Sequence, residues 1–223
     1  MPASTTGSHR ATSQKCYERL RWMLMCSQLA PGVRLAEMDW SSRLGVHRAA
    51  VREAMAMLAH EGLLRRGAKG GFFVPTLEIA DINEIWESRI VIEVGALRLL
   101  GEKRLQREAL KPLAAICDTM QHLLESDMFM GFVEADRKYH DKTVELCGNK
   151  RLLAIYRHSA LPHFLFPSQD PDAWRSGLQP TIDEHRQIHE FLVADKIPEA
   201  IRVLEGHLRV GMYRMSLVTQ NPK

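Results

Sequence analysis

The sequence predicts a mainly α-helical protein, with an amino-terminal winged helix-turn-helix and a carboxy-terminal all-α bundle of six helices. Three observations predict this class. A long helical pattern follows a tight turn, and two short strand-like runs follow that pattern. In the rest of the chain the apolar residues have helical spacing, and they do not alternate with polar residues as they would in strands. With 223 residues, the chain is long enough for two modest domains.

The central helix of the amino-terminal unit is predicted over residues 48–61, which contain neither Gly nor Pro. Apolar residues recur along it at the i, i+3, i+4 and i+7 positions that give a helix one packing stripe, namely Val51, Ala54, Met55 and Leu58.

Arg48 and Arg52 stand one turn apart on this helix, away from the apolar stripe. A recognition helix presents such side chains to base edges and phosphates in the major groove, although a solvated charged face would also place arginines there. A short helix over residues 37–44 and a turn at Gly45 come before it, and the order helix, turn, helix favours DNA reading. The core positions expected in the short helix are Met38, Trp40 and Leu44.

Two strand-like runs, Leu63–Arg66 and Gly71–Val74, predict a small hairpin wing with basic side chains. Upstream, a helix is predicted over residues 13–29 and is expected to pack on the recognition helix. The polar residues 1–12 are expected to form a disordered tail. The apolar side of the upstream helix is expected to hold Tyr17, Leu20, Leu24 and Met25.

The stretch from Leu29 to Val74 resembles the DNA-binding domain of the GntR family of bacterial transcription regulators. The resemblance is carried, in the family's order and spacing, by Pro31-Gly32, Leu44-Gly45-Val46, Val51-Arg52-Glu53-Ala54 and Glu61-Gly62-Leu63.

The resemblance implies that Arg48 and Arg52 contact operator DNA, and that the wing around Lys69 and Gly70 reaches the adjacent groove. His47 departs from the family, which usually has Ser or Thr at this place to cap the helix and touch a phosphate. This change implies a weaker cap or a pH-sensitive contact to DNA.

The distribution of charge also separates the two parts of the chain. Residues 1–75 hold 11 Lys and Arg against 5 Asp and Glu, a net charge of +6, and the remainder holds 19 basic against 22 acidic residues, a net charge of −3. A basic unit joined to a mildly acidic one is typical of a polyanion reader linked to a different module.

Other features of the composition indicate a cytoplasmic protein with no membrane segment. No apolar run approaches the roughly 18 to 20 residues that a membrane helix needs, and the amino terminus lacks the apolar core of a signal peptide. The four cysteines follow no disulfide or CxxC spacing and are expected to be reduced.

A domain boundary is predicted at Pro75-Thr76, which separates the DNA-binding domain (13–75) from a helical domain (76–223). Pro112 fits its predicted helix only if it lies in the first turn. The interval 166–180, with three prolines and a glycine, is expected to be a loop. The six predicted helices cover residues 79–100, 108–125, 128–146, 151–164, 181–194 and 198–217.

Four side chains of the helical domain have the spacing of a metal site. Asp136 and His140 are four residues apart, so they share one helix face. His185 and His207 each lie 11 residues from Lys196, about which the last two helices form a hairpin, so these histidines come level. One carboxylate and three imidazoles suit Zn²⁺, Ni²⁺ or Mn²⁺ and leave coordination positions open for a small acid.

Two alternatives apply to this set. A pair of such residues at i, i+4 is common on helices without any metal, and His189, one turn from His185, could replace or supplement it.

Arg89 is the candidate for binding an anionic effector. It is expected to lie on a face with apolar neighbours, where its charge needs an anionic partner. A bound carboxylate could be that partner, and so could Glu93, four residues on. His163 is a further candidate for the pocket because it precedes the loop at Pro167.

The helical part resembles the FCD domain, the ligand-sensing domain of the FadR-like branch of GntR regulators. The resemblance is carried by Arg89, Glu93, Asp136 with His140, Gly148-Asn149, Glu184-His185, and Ala200 with His207-Leu208. It implies a metal held by an Asp and three His at the matching positions, Asp136, His140, His185 and His207, and an effector-binding role for Arg89.

The leading hypothesis is therefore a homodimeric transcription regulator that binds a palindromic operator and responds to a small carboxylate effector with the help of a divalent metal ion. A constitutive DNA-binding protein without an effector is one alternative. A metal-dependent hydrolase or lyase is the other, and it lacks a general base at a recognisable spacing.

Overall fold

The structure is a computed structural model that describes residues 5–25, 28–68, 70–104, 106–158 and 175–220. The chain divides into two compact units, and the second begins at Ile79. This division lies three residues after the break predicted between Pro75 and Thr76. Each unit is described by itself.

The amino-terminal unit contains three helices and three short strands. In chain order they are α1 (Thr5–Met25), β1 (Arg34–Leu35), α2 (Glu37–Leu44), α3 (Arg48–His60), β2 (Arg65–Arg66) and β3 (Phe72–Phe73).

Within its described residues, the second unit is entirely helical. Its helices are α4 (Ile79–Lys103), α5 (Arg107–Glu125), α6 (Phe129–Leu146), α7 (Lys150–His158), α8 (Leu178–Val193) and α9 (Ile197–Gln220). The predicted fold class, a winged helix-turn-helix followed by an all-α domain, is confirmed.

The core of the first unit forms where α1 and α2 pack on α3. The predicted stripe of α3 is buried completely, and Leu20 and Leu24 of α1 share its cluster. Each large apolar side chain buried in this way contributes on the order of 1.5–3 kcal/mol to folding. This packing fixes which side of α3 faces outward.

The turn between α2 and α3 depends on Gly45. Its φ of 64° lies in the left-handed region, which residues with a Cβ adopt at a cost. Ser41 closes the turn, because its hydroxyl donates a 2.5 Å hydrogen bond to the carbonyl oxygen of Val46.

The wing is a three-stranded antiparallel sheet in the order β1-β3-β2, rather than the predicted two-stranded hairpin. Phe73 of β3 pairs with Arg65 on one side and with Arg34 on the other. A strand of only two residues, 34–35, has no periodic pattern from which it could be predicted. Its pairing places buried Leu35 in the same core as buried Phe72.

Several predicted details of the first unit are wrong. The structure describes residues 5–12 as the first turns of α1, within the stretch for which a disordered tail is expected. The side chain of Met38 is exposed, at 63%, whereas Trp40 is buried in the core cluster as expected. Met25 ends α1, four residues before the predicted end.

Pro112 is the sixth residue of α5 and therefore lies beyond its first turn, contrary to the condition that the sequence placed on it. A proline here removes the hydrogen bond to the carbonyl group of Glu108. Both residues are solvent-exposed, so water can satisfy that carbonyl group.

In the second unit, α4 packs on α9 and α6, while α5 packs on α6 and α8. The two last helices also pack on each other, as a hairpin requires. α8 begins at Leu178, inside the interval 166–180 predicted as a loop, and Pro180 is tolerated because it falls in the first turn of this helix. Among the described residues, no helix has the length and apolar character needed to cross a membrane.

Replacement of Leu58 by alanine tests the packing of α3. We expect Leu58→Ala to lower the free energy of unfolding of the amino-terminal unit by about 2–5 kcal/mol, because a cavity remains in a fully buried site. Urea denaturation followed by circular dichroism measures this loss. Met38→Ala, at an exposed site, is the control and should stay within about 0.5 kcal/mol of the wild type. Equal losses in both variants would contradict the described core.

Candidate functional site

Four potential metal ligands meet inside the helical unit. Asp136 and His140 come from α6, His185 from α8 and His207 from α9, and one ligand atom of each lies within 4.8 Å of all the others. His140 and His185 are buried, and the other two are partly buried. The structure thus brings together the whole set that the sequence spacing predicted.

The Nε2 atoms of the three histidines point toward a common centre. The Nε2 atom of His140 lies 3.3 Å from that of His185 and 3.2 Å from that of His207. Metal–nitrogen bonds of about 2.0–2.1 Å separate neighbouring ligand nitrogens by roughly 2.8–3.0 Å in octahedral sites and by roughly 3.3–3.4 Å in tetrahedral sites. The Oδ1 atom of Asp136 is 3.8 Å from His185 Nε2 and 3.9 Å from His140 Nε2. The spacing of the donors therefore fits a metal ion.

In two of these rings the other nitrogen, Nδ1, is hydrogen-bonded to a carboxylate. His140 Nδ1 is 2.6 Å from Glu93 Oε2, and His207 Nδ1 is 2.7 Å from Glu184 Oε2. An ionised carboxylate can only accept, so each Nδ1 carries a proton, and a ring with no second proton directs a lone pair from Nε2 into the centre. Facing lone pairs repel one another unless a cation lies between them. The donor chemistry therefore fits a divalent metal.

Two polar atoms of the cluster lack a hydrogen-bond partner within the described part of the chain, Asp136 Oδ1 and His185 Nδ1. Buried polar atoms without partners are rare, and for Asp136 Oδ1 a bound cation would supply the missing interaction. Burial lowers the pKa of His185 well below its usual value, and the charges of His207 and His140 lower it further. His185 is therefore neutral, which is the form that binds metals.

Tyr139 holds the His185 ring in place from one side. The two rings stack with their centroids 4.1 Å apart, and the Tyr139 hydroxyl donates a 2.8 Å hydrogen bond to the backbone carbonyl of His185. His189, the other histidine considered for this position, is not a member of the cluster.

Arg89 lies beside the cluster in a buried ion pair. Its Nε donates to Glu93 Oε1 at 3.0 Å, and its guanidinium lies 4.5 Å from the centre of the Trp86 ring. The structural partner that the sequence offered for Arg89, Glu93, is therefore present. Burial opposes the charge of Arg89, but Tyr156, Glu93 and Asp136 together raise its pKa above the usual value. An effector-binding role for Arg89 remains a proposal.

The sequence did not reveal that Glu93 and Glu184 are hydrogen-bonded to histidines of the cluster. The sequence indicates Glu93 as a possible partner of Arg89, and both glutamates are among the residues that carry the FCD resemblance, but neither is predicted to contact a histidine. The available signal was the spacing of seven residues between Trp86 and Glu93, which places Glu93 on the buried face of α4. The distance from either carboxylate to a histidine on another helix cannot be read from spacing.

The candidate nucleic-acid interface lies at the start of α3. The side chains of Arg48 and Arg52 are 59% and 57% exposed. His47 occupies the N-cap position with extended backbone and makes no side-chain capping bond, in keeping with the weak cap that its identity implied. Both arginines can therefore be reached from solvent.

A carboxylate that the sequence did not single out restrains these arginines. Arg52 donates from Nε at 2.9 Å and from Nη2 at 2.8 Å to the Glu37 carboxylate, and Arg48 Nη2 lies 3.9 Å from the same group. The hydrogen bond from Arg52 lowers the pKa of Glu37 despite its partial burial. Glu37 thus orients Arg52 without covering it.

Two predicted site residues, Lys69 in the wing and His163 near the predicted pocket, lie outside the described residues. Gly70 and Gly71 form the described part of the wing tip, with φ values of 84° and 85°. Such values favour glycine at both positions.

Two family profiles match consecutive parts of the chain. The FCD domain matches residues 84–210, and the profile described as "Bacterial regulatory proteins, gntR family" matches residues 12–74. The first covers the helical unit with all four clustered ligands, and the second covers the helix-turn-helix and the wing.

Individual relatives agree with these profiles. The chain is 26% identical over 175 residues to the uncharacterized HTH-type transcriptional regulator YdhC of Bacillus subtilis (strain 168), covering 78% of this chain and 77% of the relative. It is 32% identical over 130 residues to an uncharacterized HTH-type transcriptional regulator of Agrobacterium vitis, covering 57% and 76%. Among solved structures, E. coli McbR/YncC shares the fold, with a TM-score of 0.71 and 20% identity over 92% of this chain and 96% of that one.

These relatives are named as regulators, and the matched domains are those of regulators rather than enzymes. The chain therefore belongs to the GntR family of bacterial transcription regulators and carries an FCD effector-binding domain.

Proposed function

We propose that this regulator binds a palindromic operator as a homodimer and senses a small organic acid at a metal centre formed by Asp136, His140, His185 and His207. The observation that supports the sensing part most directly is the convergence of three Nε2 lone pairs and one carboxylate oxygen inside the helical unit.

The donor set narrows the choice of metal. Three imidazole nitrogens and one carboxylate oxygen suit Zn²⁺, Ni²⁺ or Mn²⁺ better than Mg²⁺ or Ca²⁺, which prefer oxygen ligands. Four protein donors leave room for further ligands in a five- or six-coordinate site. When bound, the ion would supply a Lewis-acidic contact for an oxygen of the effector.

Arg89 supports the choice of an acidic effector. Its Nε–H is committed to Glu93, and the guanidinium carries four further N–H groups on its two Nη atoms. Its charge also interacts with that of Asp136, one of the four ligands. An effector carboxylate that reaches both the metal ion and the Nη atoms of Arg89 would meet positive charge from both.

The response to the effector follows from thermodynamic linkage. Two identical recognition helices can read the two halves of a near-palindrome only at a fixed separation. An effector that binds one arrangement of the helical domains better than another shifts that separation, and it changes operator affinity only by this difference.

Metal analysis tests the sensing site. We expect protein purified without chelators, or supplied with Zn²⁺, Ni²⁺ or Mn²⁺ and then dialysed, to hold about one ion per protomer by elemental analysis. His207→Ala should lower the affinity at least tenfold, because one of the four donors is lost. His122→Ala replaces an exposed histidine of α5 and serves as the matched control. Wild-type protein that retains none of the three metals would refute the proposed site.

Operator binding tests the recognition helix. A duplex selected from a random library by the wild-type protein serves as the probe in a gel-shift titration. We expect Arg48→Ala and Arg52→Ala each to weaken binding by about 1–3 kcal/mol, or roughly 5- to 150-fold, because each removes a contact to a base or a phosphate.

Arg98→Ala removes the same charge from an exposed site on α4 and should bind the duplex like the wild type. Unchanged binding in both recognition-helix variants would show that α3 does not read the operator through these arginines.

A further inference from the structure

Glu93 stands between the metal cluster and Arg89 and is itself outside the set of ligands. Its side chain is fully buried on α4. One carboxylate oxygen, Oε1, accepts a hydrogen bond from Arg89 Nε at 3.0 Å, and the other, Oε2, accepts one from His140 Nδ1 at 2.6 Å. Burial raises the pKa of the Tyr156 hydroxyl, and the negative charge of this carboxylate raises it further.

The hydrogen bond between Glu93 and His140 determines which nitrogen of the His140 ring is free to bind a metal ion. With its proton on Nδ1, His140 directs a lone pair from Nε2 toward His185 and His207. The other tautomer would place an N–H in the centre, where it would block a metal ion. A buried carboxylate that only accepts therefore selects the metal-binding tautomer and fixes the plane of the ring.

The bond to Arg89 makes this arrangement possible inside a protein core. A buried carboxylate without a counter-charge would be costly, and the guanidinium supplies the charge. Arg89 is oriented in turn by Glu93 and by the Trp86 ring. His140 and Arg89 therefore share one anchoring group, with one oxygen for each.

We propose that Glu93 is a positioning residue that holds His140 in its metal-binding tautomer and joins the metal centre to Arg89. This inference rests on the proposed function, because it presupposes that the four ligands hold a metal ion. It adds that metal affinity depends on a residue that does not touch the metal.

Glu184 provides a matched comparison within the same site. It accepts a hydrogen bond from Nδ1 of His207 at 2.7 Å, which is the same contact as that of Glu93 with His140. Its side chain is 36% exposed, however, so water can take its place. The same substitution should therefore have unequal effects at the two positions.

The experiment compares Glu93→Gln with Glu184→Gln in the 223-residue chain, using Zn²⁺ alone as the probe in competition with a chromophoric chelator. Glutamine has one acceptor oxygen and an NH₂ group that cannot accept. Because Arg89 has only donors, the oxygen must stay with Arg89, so the NH₂ group faces His140 Nδ1 and the hydrogen bond from that nitrogen is lost. We expect Glu93→Gln to weaken Zn²⁺ binding about 10- to 100-fold. Glu184→Gln should weaken it less.

The tautomer of His140 gives a readout that a merely structural role would not change. Nitrogen-15 NMR of metal-free protein, with the signal assigned by His140→Asn, should show the proton on Nδ1 in the wild type and a shift toward Nε2 in Glu93→Gln. If Glu93→Gln does not fold, the wild-type spectrum still decides, because a proton on Nε2 would overturn the proposal.

The outcomes separate this inference from the proposed function. Wild-type protein that does not bind Zn²⁺, Ni²⁺ or Mn²⁺ removes the metal site itself. Wild-type protein that binds Zn²⁺, together with a Glu93→Gln variant of equal affinity, leaves the site in place and overturns the role of Glu93. Weaker binding with an unchanged His140 tautomer also overturns it.

Discussion

The helical unit is constrained above all by the meeting of Asp136, His140, His185 and His207 at one point. Atoms that carry lone pairs or negative charge repel one another at the distances observed here, and water is largely excluded from the buried members of the set. Such a cluster persists only if the helices that carry it are held together elsewhere. The apolar contacts of α6, α8 and α9 with α4 and α5 provide that support.

The helical unit buries one pair of opposite charges next to the cluster. Arg89 and Glu93 are both buried, and each satisfies a group that would otherwise lack a partner. Opposite charges this close and this well bonded can offset much of their desolvation cost. The side chains of Glu184 and Asp136, by contrast, are partly exposed, so the site has one dry side and one wet side.

The parts of the fold that were predictable from sequence are those governed by a single helix or a single hairpin. The stripe Val51–Leu58, the pair Asp136 and His140, and the level positions of His185 and His207 all follow from a rise and a period that are the same in every helix. Three other features were not predictable, because they depend on which neighbouring elements pack against a given segment, and the periodicity of the sequence carries no information about that packing. They are the third strand of the wing, the exposed side chain of Met38 and the position of Pro112 beyond the first turn of α5.

The contacts of Glu37 with Arg52 and of Glu184 with His207 were not predictable for a related reason. Each joins residues of two different elements, 15 and 23 positions apart in the chain. Their distance depends on how those elements pack, whereas residues on one helix have a distance set by its geometry.

The short connection between α8 and α9 also restricts insertions and deletions in this part of the chain. Three residues, Ala194 to Lys196, separate the two helices, and Asp195 among them has a φ of 57°. One residue inserted between His185 and this turn, or between the turn and His207, would rotate a ligand by about 100° around its helix axis. Insertions and deletions here should therefore be far rarer among relatives that keep the four ligands than elsewhere on the surface.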